Sequence, residues 1–138
     1  MQKENLKPLE ALICDLLAEK PDTTGKMVSG KLDDDKFRGQ FIDFTEQNEV
    51  TGIIAHRLET LLGKENVPAS MAASHETTHS RITSYLFELD HVASLLAQAG
   101  IPLVALKNGG IARGIYPCPG CCPMGDLDVL VEKAHFRR

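Results

Sequence analysis

Residues 101–131 read IPLVALKNGGIARGIYPCPGCCPMGDLDVLV, and this stretch decides the fold. Ile101 to Leu106 is a short apolar run, the pattern of a strand buried on both faces. Lys107, Asn108, Gly109 and Gly110 break the run as a glycine turn, and Ile111–Ile115 can start a short helix. Glycine allows backbone N–H groups to approach a ligand closely, so the turn and the helix start make a ready anion site. A rigid Pro-Gly loop follows, then a second strand, Gly125-Asp126-Leu127-Asp128-Val129-Leu130-Val131. The strand period of two puts Asp126 and Asp128 on one face, with Leu127, Val129 and Val131 directed into a core. Two carboxylates about 7 Å apart along a strand converge on a hard cation such as Mg²⁺. An anion cradle beside paired carboxylates points to metal-dependent chemistry on a nucleoside triphosphate.

Glycine turn and Asp-x-Asp strand together resemble the nucleotidyltransferases of the DNA polymerase β-like superfamily. More narrowly, the stretch is similar to the bacterial and archaeal uncharacterised nucleotidyltransferases, which carry a segment like LLKGAALA-x-x-LYPDPGLRPMGDIDLLV. Leu106-Lys107, Tyr116-Pro117, Pro119-Gly120, Pro123-Met124-Gly125-Asp126 and Asp128 fall in register with it. A weaker likeness reaches upstream to FIDFTEQNEVTGIIAHRL (Phe41–Leu58), so that about the last hundred residues are covered. The resemblance implies transfer of a nucleoside monophosphate from an NTP to an acceptor. Asp126 and Asp128 would be catalytic and would hold two Mg²⁺ ions, and Gly109, Gly110 and Lys107 would bind nucleotide. Three departures stand out: Asn108 replaces a glycine, Cys122 replaces an arginine, and no third carboxylate follows on a later strand. Glu132 shares the face of Asp128, but about 13 Å along a strand is too far for the same ion. The departures imply weak nucleotide and Mg²⁺ binding with little turnover.

Composition sets the outer bounds. A hydrophobic fraction of 43% and a charged fraction of 25% describe an ordinary globular chain rather than a disordered one. A net charge of −4 supplies no bulk footprint for nucleic acid, so a polynucleotide substrate is not favoured. The N-terminal residues MQKENLKPLEALICDLLAEK have acidic groups among the apolar ones and no small-residue cleavage site, unlike a signal peptide. No apolar run reaches the length of a membrane span. Cysteines at 14, 118, 121 and 122 do not make a spaced disulfide framework, which favours a reducing, cytoplasmic setting.

Upstream, the pattern is helical. Leu9, Leu12, Ile13, Leu16 and Leu17 share one face of a helix from Leu6 to Leu17, ending near Lys20-Pro21. Residues 21–31 (PDTTGKMVSGK) read as a polar loop. Asp33-Asp34-Asp35 opens the next helix, as first-turn acids that complement the dipole. Its face runs through Phe37, Phe41 and Phe44, pauses near Asn48, resumes from Val50 to Leu62, and closes at Gly63. The longest helix expected covers 68–99, with Ile82, Tyr85, Leu86, Leu89, Val92, Leu95 and Leu96 as its stripe.

Two other motifs could carry metal. His75-Glu76-Thr77-Thr78-His79 is an HExxH string, which on a helix places two imidazoles on one face for zinc. Arg81 and Tyr85 stand where the zinc-protease patterns want a hydrophobic residue and a third ligand, so a solvated helix start is the plainer reading. Cys118-Pro119-Gly120-Cys121-Cys122 has the spacing of half a zinc knuckle, with Cys14 and His135 as distant candidates for a fourth ligand.

The expected fold is α+β. An N-terminal helical region (1–66) precedes a partial nucleotidyltransferase core (67–138) consisting of a long helix, a strand, the Gly-Gly turn, a short helix and the Asp-x-Asp strand, around a small mixed sheet. Two strands cannot bury the faces of a full sheet. A truncated product, or a chain whose sheet is completed by a partner or by a missing C-terminal part, is therefore expected. The functional alternatives are a non-catalytic nucleotide-binding or regulatory fragment, and a zinc protein using the Cys118-Cys121-Cys122 loop or the HETTH string.

Overall fold

The computed structural model describes residues 8–18 and 23–136. The expected start of the first helix at Leu6 and its end at Lys20-Pro21 lie outside them. The described elements are α1 (Pro8–Leu17), α2 (Gly25–Leu32), α3 (Asp35–Gln47), α4 (Thr51–Leu62), α5 (Ala69–Gln98), β1 (Leu103–Ala105), α6 (Lys107–Ile115) and β2 (Val129–Val131). Short 3₁₀ turns cover Lys64–Asn66, Pro119–Cys121 and Lys133–His135. The chain divides into two compact units, Met1–His75 and Glu76–Arg138, with the boundary inside α5.

In the first unit Leu12, Ile13, Leu16, Val28, Leu32, Phe41, Ile54, Ala55, Leu58 and Met71 form the buried cluster. Its helices start where side chains replace missing backbone partners. Asp34 accepts from Phe37 N at 2.8 Å and starts α3, while Thr24 accepts from Met27 N at 3.4 Å and starts α2. Thr45 and Thr51 are the buried polar pair: Thr51 Oγ1 donates to Thr45 Oγ1 at 3.3 Å, and Thr45 Oγ1 donates to the Ile42 carbonyl at 2.9 Å. Glu49, at φ 56°, turns the chain between α3 and α4, and Gly63, at φ 85°, ends α4.

Helix α2 overturns the loop reading of 21–31 from Gly25 onward; residues 23 and 24 are non-helical, and 21 and 22 lie outside the described residues. Its composition is poor for a helix, with Gly25, Ser29 and Gly30 in eight residues. Tertiary packing wins over propensity: Val28 and Leu32 are buried, and a side chain at Gly25 would collide with the Leu61 carbonyl oxygen. Thr23 N also donates to Asp15 Oδ2 at 2.8 Å, which ties the entry of α2 to α1.

The second unit is built on a two-stranded antiparallel sheet, not a mixed one, with Leu103 opposite Val131, Val104 opposite Leu130 and Ala105 opposite Val129. Both strands are shorter than expected. Ile82, Leu86, Leu89, Ala112, Cys122 and Met124 form the buried cluster, with Tyr85, Leu103, Ala105, Tyr116 and Leu127 packed on it. Val129 was expected in the core with Leu127, yet it is exposed, as are Val104 and Leu130. The strands therefore bury one face in part rather than both. The α5 stripe also loses cover toward its end, where Val92 and Leu95 are exposed.

Candidate functional site

Three short segments of the second unit meet at the start of α6. The ladder between the strands extends one bond past β1, because Leu106 N donates to the Asp128 carbonyl at 2.9 Å. This bond brings the residue before β2 to the residue before α6. Lys107 follows with φ 49°, a left-handed conformation that costs a lysine energy and that turns strand into helix within one residue. Its ammonium Nζ lies 2.5 Å from Asp128 Oδ2. That oxygen is screened from solvent and has no well-formed hydrogen bond, so the ammonium is its counter-charge. The close approach of the Asp128 carboxylate, and then its charge, hold the Lys107 ammonium above its ordinary pKa of 10.5; desolvation opposes the rise less strongly, and the Asp126 charge adds a lesser contribution.

The two glycines do not form a turn ahead of the helix; they lie inside its first turns. Gly110 N donates to the Leu106 carbonyl at 3.3 Å, closing the first helical bond. A Cβ at Gly110 would sit 2.6 Å from the Ala105 carbonyl oxygen, and one at Gly109 would sit 3.1 Å from Leu127 Cδ2. The Gly-Gly pair thus lets α6 approach both the end of β1 and the Asp126–Asp128 segment. The backbone N–H groups at this end have no intrahelical partner, as at any helix start. Asp126 and Asp128 precede β2 rather than belonging to it, because pairing begins at Val129. Asp126 is exposed and Asp128 half-buried. Glu132, set aside on distance, pairs instead with His135 at 3.5 Å.

Residues not singled out for the site fix its frame. Asn108, one of the departures from the resembled segment, donates from Nδ2 to the Pro123 carbonyl at 2.6 Å. Tyr85 Oη donates to the Gly125 carbonyl at 3.1 Å. Arg113 grips α5 from α6, with both carboxylate oxygens of Asp90 at 3.0 and 2.7 Å and the Leu86 carbonyl at 3.3 Å. An Asn in a helix's first turn is the one sequence signal here, since its amide can reach a passing carbonyl.

The cysteines separate by environment, and none of the four is in a disulfide. Cys122 is fully buried in the apolar cluster, and burial pushes its thiol pKa up. Tyr116 beside it is raised as well, by burial first and then by the Cys122 charge. Cys118 and Cys121 instead place their Sγ atoms 3.1 Å apart. In the first unit, His56 and His75 hold their rings with centroids 6.2 Å apart and 26° between planes. Among the described residues, Asp126 and Asp128 belong to no group of three or more His, Cys, Asp or Glu side chains placed to share a metal ion, and neither do Glu76 and His79 of the HExxH string, Cys14 or His135.

Residues 38–138 match the family described as uncharacterised nucleotidyltransferase. The chain belongs to that family. No curated protein and no solved structure matches it. The matched span of this nucleotidyltransferase-family chain contains all of the second unit, including the Gly-Gly helix start and both aspartates. No helix among the described residues is long and apolar enough to cross a membrane.

Proposed function

We propose that this chain is a nucleotide-binding member of its family, related to the DNA polymerase β-like superfamily and organised for Mg²⁺-dependent nucleotidyl transfer. The reaction is attack by an acceptor hydroxyl on the α-phosphorus of an NTP. The acceptor O–P bond forms, the bond to the β-phosphate oxygen breaks, and pyrophosphate leaves with release of the acceptor proton. The observation that supports this best is the meeting of Asp128 with Lys107 at the first turn of a Gly-Gly helix, which joins a carboxylate, a cation and helix N–H groups in one place.

The aspartates suit a hard cation by donor type, and Asp128 Oδ2 is a shielded oxygen facing only a flexible ammonium. Asp126 and Asp128 would hold the two Mg²⁺ ions of an intact enzyme. When bound, the metal supplies a Lewis acid for the acceptor oxygen and charge neutralisation for the leaving phosphates. Lys107 then exchanges Asp128 for phosphate oxygens, and it stays charged because an ordinary lysine ammonium titrates far above neutral pH. The N–H groups of Lys107, Asn108 and Gly109 orient the β- and γ-phosphates at the positive end of α6. Of the acidic residues in this segment, Asp126 and Asp128 are the ones assigned to the site; Glu132 lies 3.5 Å from His135.

Isothermal titration with ATP and Mg²⁺ tests the proposal. Heat is expected from the native chain and its loss from Asp128→Asn, which preserves shape while removing charge. Unchanged heat in an Asp126→Asn/Asp128→Asn double variant, or no heat with any of the four NTPs, overturns it.

A further inference from the structure

We propose that Cys118 and Cys121 form a thiol–disulfide exchange site, oxidised to an internal disulfide by a low-molecular-weight disulfide and restored by a thiol reductant. Both cysteines belong to the second unit and stand at the two ends of one short turn, so their approach rests on local backbone alone. The Pro119–Cys121 3₁₀ turn is closed by Cys121 N donating to the Cys118 carbonyl at 3.0 Å and Cys122 N donating to the Pro119 carbonyl at 3.1 Å. Side chains three residues apart on a 3₁₀ turn fall on the same side. Pro119 opens the turn and fixes its own φ, which narrows the freedom of the backbone between the two thiols. The Sγ atoms stand 3.1 Å apart. A disulfide bond is about 2.05 Å long, so closure brings the sulfurs together by 3.1 − 2.05, or about 1 Å.

The third thiol of the loop is held out of the pair. Cys122 is fully buried in the cluster with Ile82, Leu86 and Met124, which withholds it from a dissolved oxidant. Cys118 is half-buried and Cys121 buried, and this difference orders the steps. The Cys118 thiolate attacks one sulfur of the small disulfide; a bond from Cys118 to that sulfur forms, the small disulfide's own S–S bond breaks, and one thiolate leaves. The Cys121 thiolate then attacks Cys118 Sγ, forms the internal bond and expels the second thiolate. In all, two cysteines give up two protons and two electrons, and the small disulfide takes up both to become two thiols. In a reducing compartment such a bond is transient and the dithiol is the resting form.

The test exposes the full chain, reduced with dithiothreitol and freed of it, to oxidised glutathione, followed by acid quenching, alkylation and trypsin. The informative fragment is Gly114–Lys133, which carries Cys118, Cys121 and Cys122 and separates them from Cys14. It should lose two hydrogens, show Cys118 joined to Cys121 with Cys122 alkylated, and recover three alkylatable thiols after dithiothreitol. Cys121→Ser should stop at a glutathione adduct on Cys118, Cys118→Ser should form no internal bond, and Cys122→Ser should still lose the two hydrogens. The native chain decides by itself if a variant does not fold. Three alkylated cysteines after exposure, a glutathione adduct that never closes, or a bond that includes Cys122 or Cys14 overturns the proposal.

Discussion

Replacing Gly110 by alanine should destabilise the second unit, while the same change at Gly114 of the same helix should stabilise it. At Gly110 the new Cβ would lie 2.6 Å from the Ala105 carbonyl oxygen and 3.3 Å from its carbon, where ordinary contact begins at 3.4 Å. The helix start would have to withdraw from β1 by 3.4 − 2.6, or 0.8 Å. No side chain can rotate to make room, because the obstacle is strand backbone and Ala105 is paired with Val129. Overpacking of this kind costs about 1–3 kcal/mol, and the rigid partner argues for the upper end. Alanine's better helix propensity returns at most about 1 kcal/mol, leaving a net loss of about 2 kcal/mol. At Gly114 nothing lies within 4 Å of the added carbon and the position is exposed, so only the propensity gain remains. Urea unfolding of the two variants beside the native chain should therefore separate them by about 3 kcal/mol. Withdrawal of α6 should also part Lys107 from Asp128, so Gly110→Ala is expected to lose the heat of Mg-ATP binding while Gly114→Ala keeps it. Equal stability of the two variants, or a Gly110→Ala chain at least as stable as the native one, would show the close approach to be wrong.

Two further outcomes follow from the contacts. Asp34→Ala removes a 2.8 Å cap from α3 and should cost about 1 kcal/mol, more than Thr24→Ala, whose cap bond at 3.4 Å is long, as paired chemical-denaturation curves can show. Lys107 has a folded pKa raised above 10.5, so its pairing contributes fully below that value and is lost as pH rises through the higher folded value. The stability difference between native chain and Lys107→Met should then stay constant from about pH 6 to 9.5 and close only above 10.5, a window that follows from the direction of the shift. A difference that disappears between pH 6 and 8 would contradict the assignment of the pair.

Helix positions were legible wherever apolar spacing and a capping acid agreed. Gly63 after Leu62 marks an end that the structure keeps, whereas of the Asp33–Asp35 run read as first-turn acids only Asp35 lies in the first turn of α3, Asp34 capping that helix and Asp33 ending α2. Helix α2 was not legible, because two glycines and a serine outvote Val28 and Leu32 in any local reading; its reason for existing lies in contacts from α1 and α4. The start of α6 was misread for a related cause. Gly109-Gly110 signals a turn by composition, yet here glycine serves close packing against β1 and Leu127 within a helix. The Asp-x-Asp segment showed its alternation but not where pairing would begin, since alternation does not reveal how many residues find a partner. Asn108 was visible only as a departure, and what its amide reaches is settled fifteen residues away.

That amide and the Tyr85 hydroxyl seize the Pro123 and Gly125 carbonyls from different helices. The backbone leading to Asp126 is thus moored on both sides before any ligand arrives. In the proposed metal-binding role, an acid carried on such a post would need little ordering, because the entropy of arranging the loop is lost during folding rather than during capture.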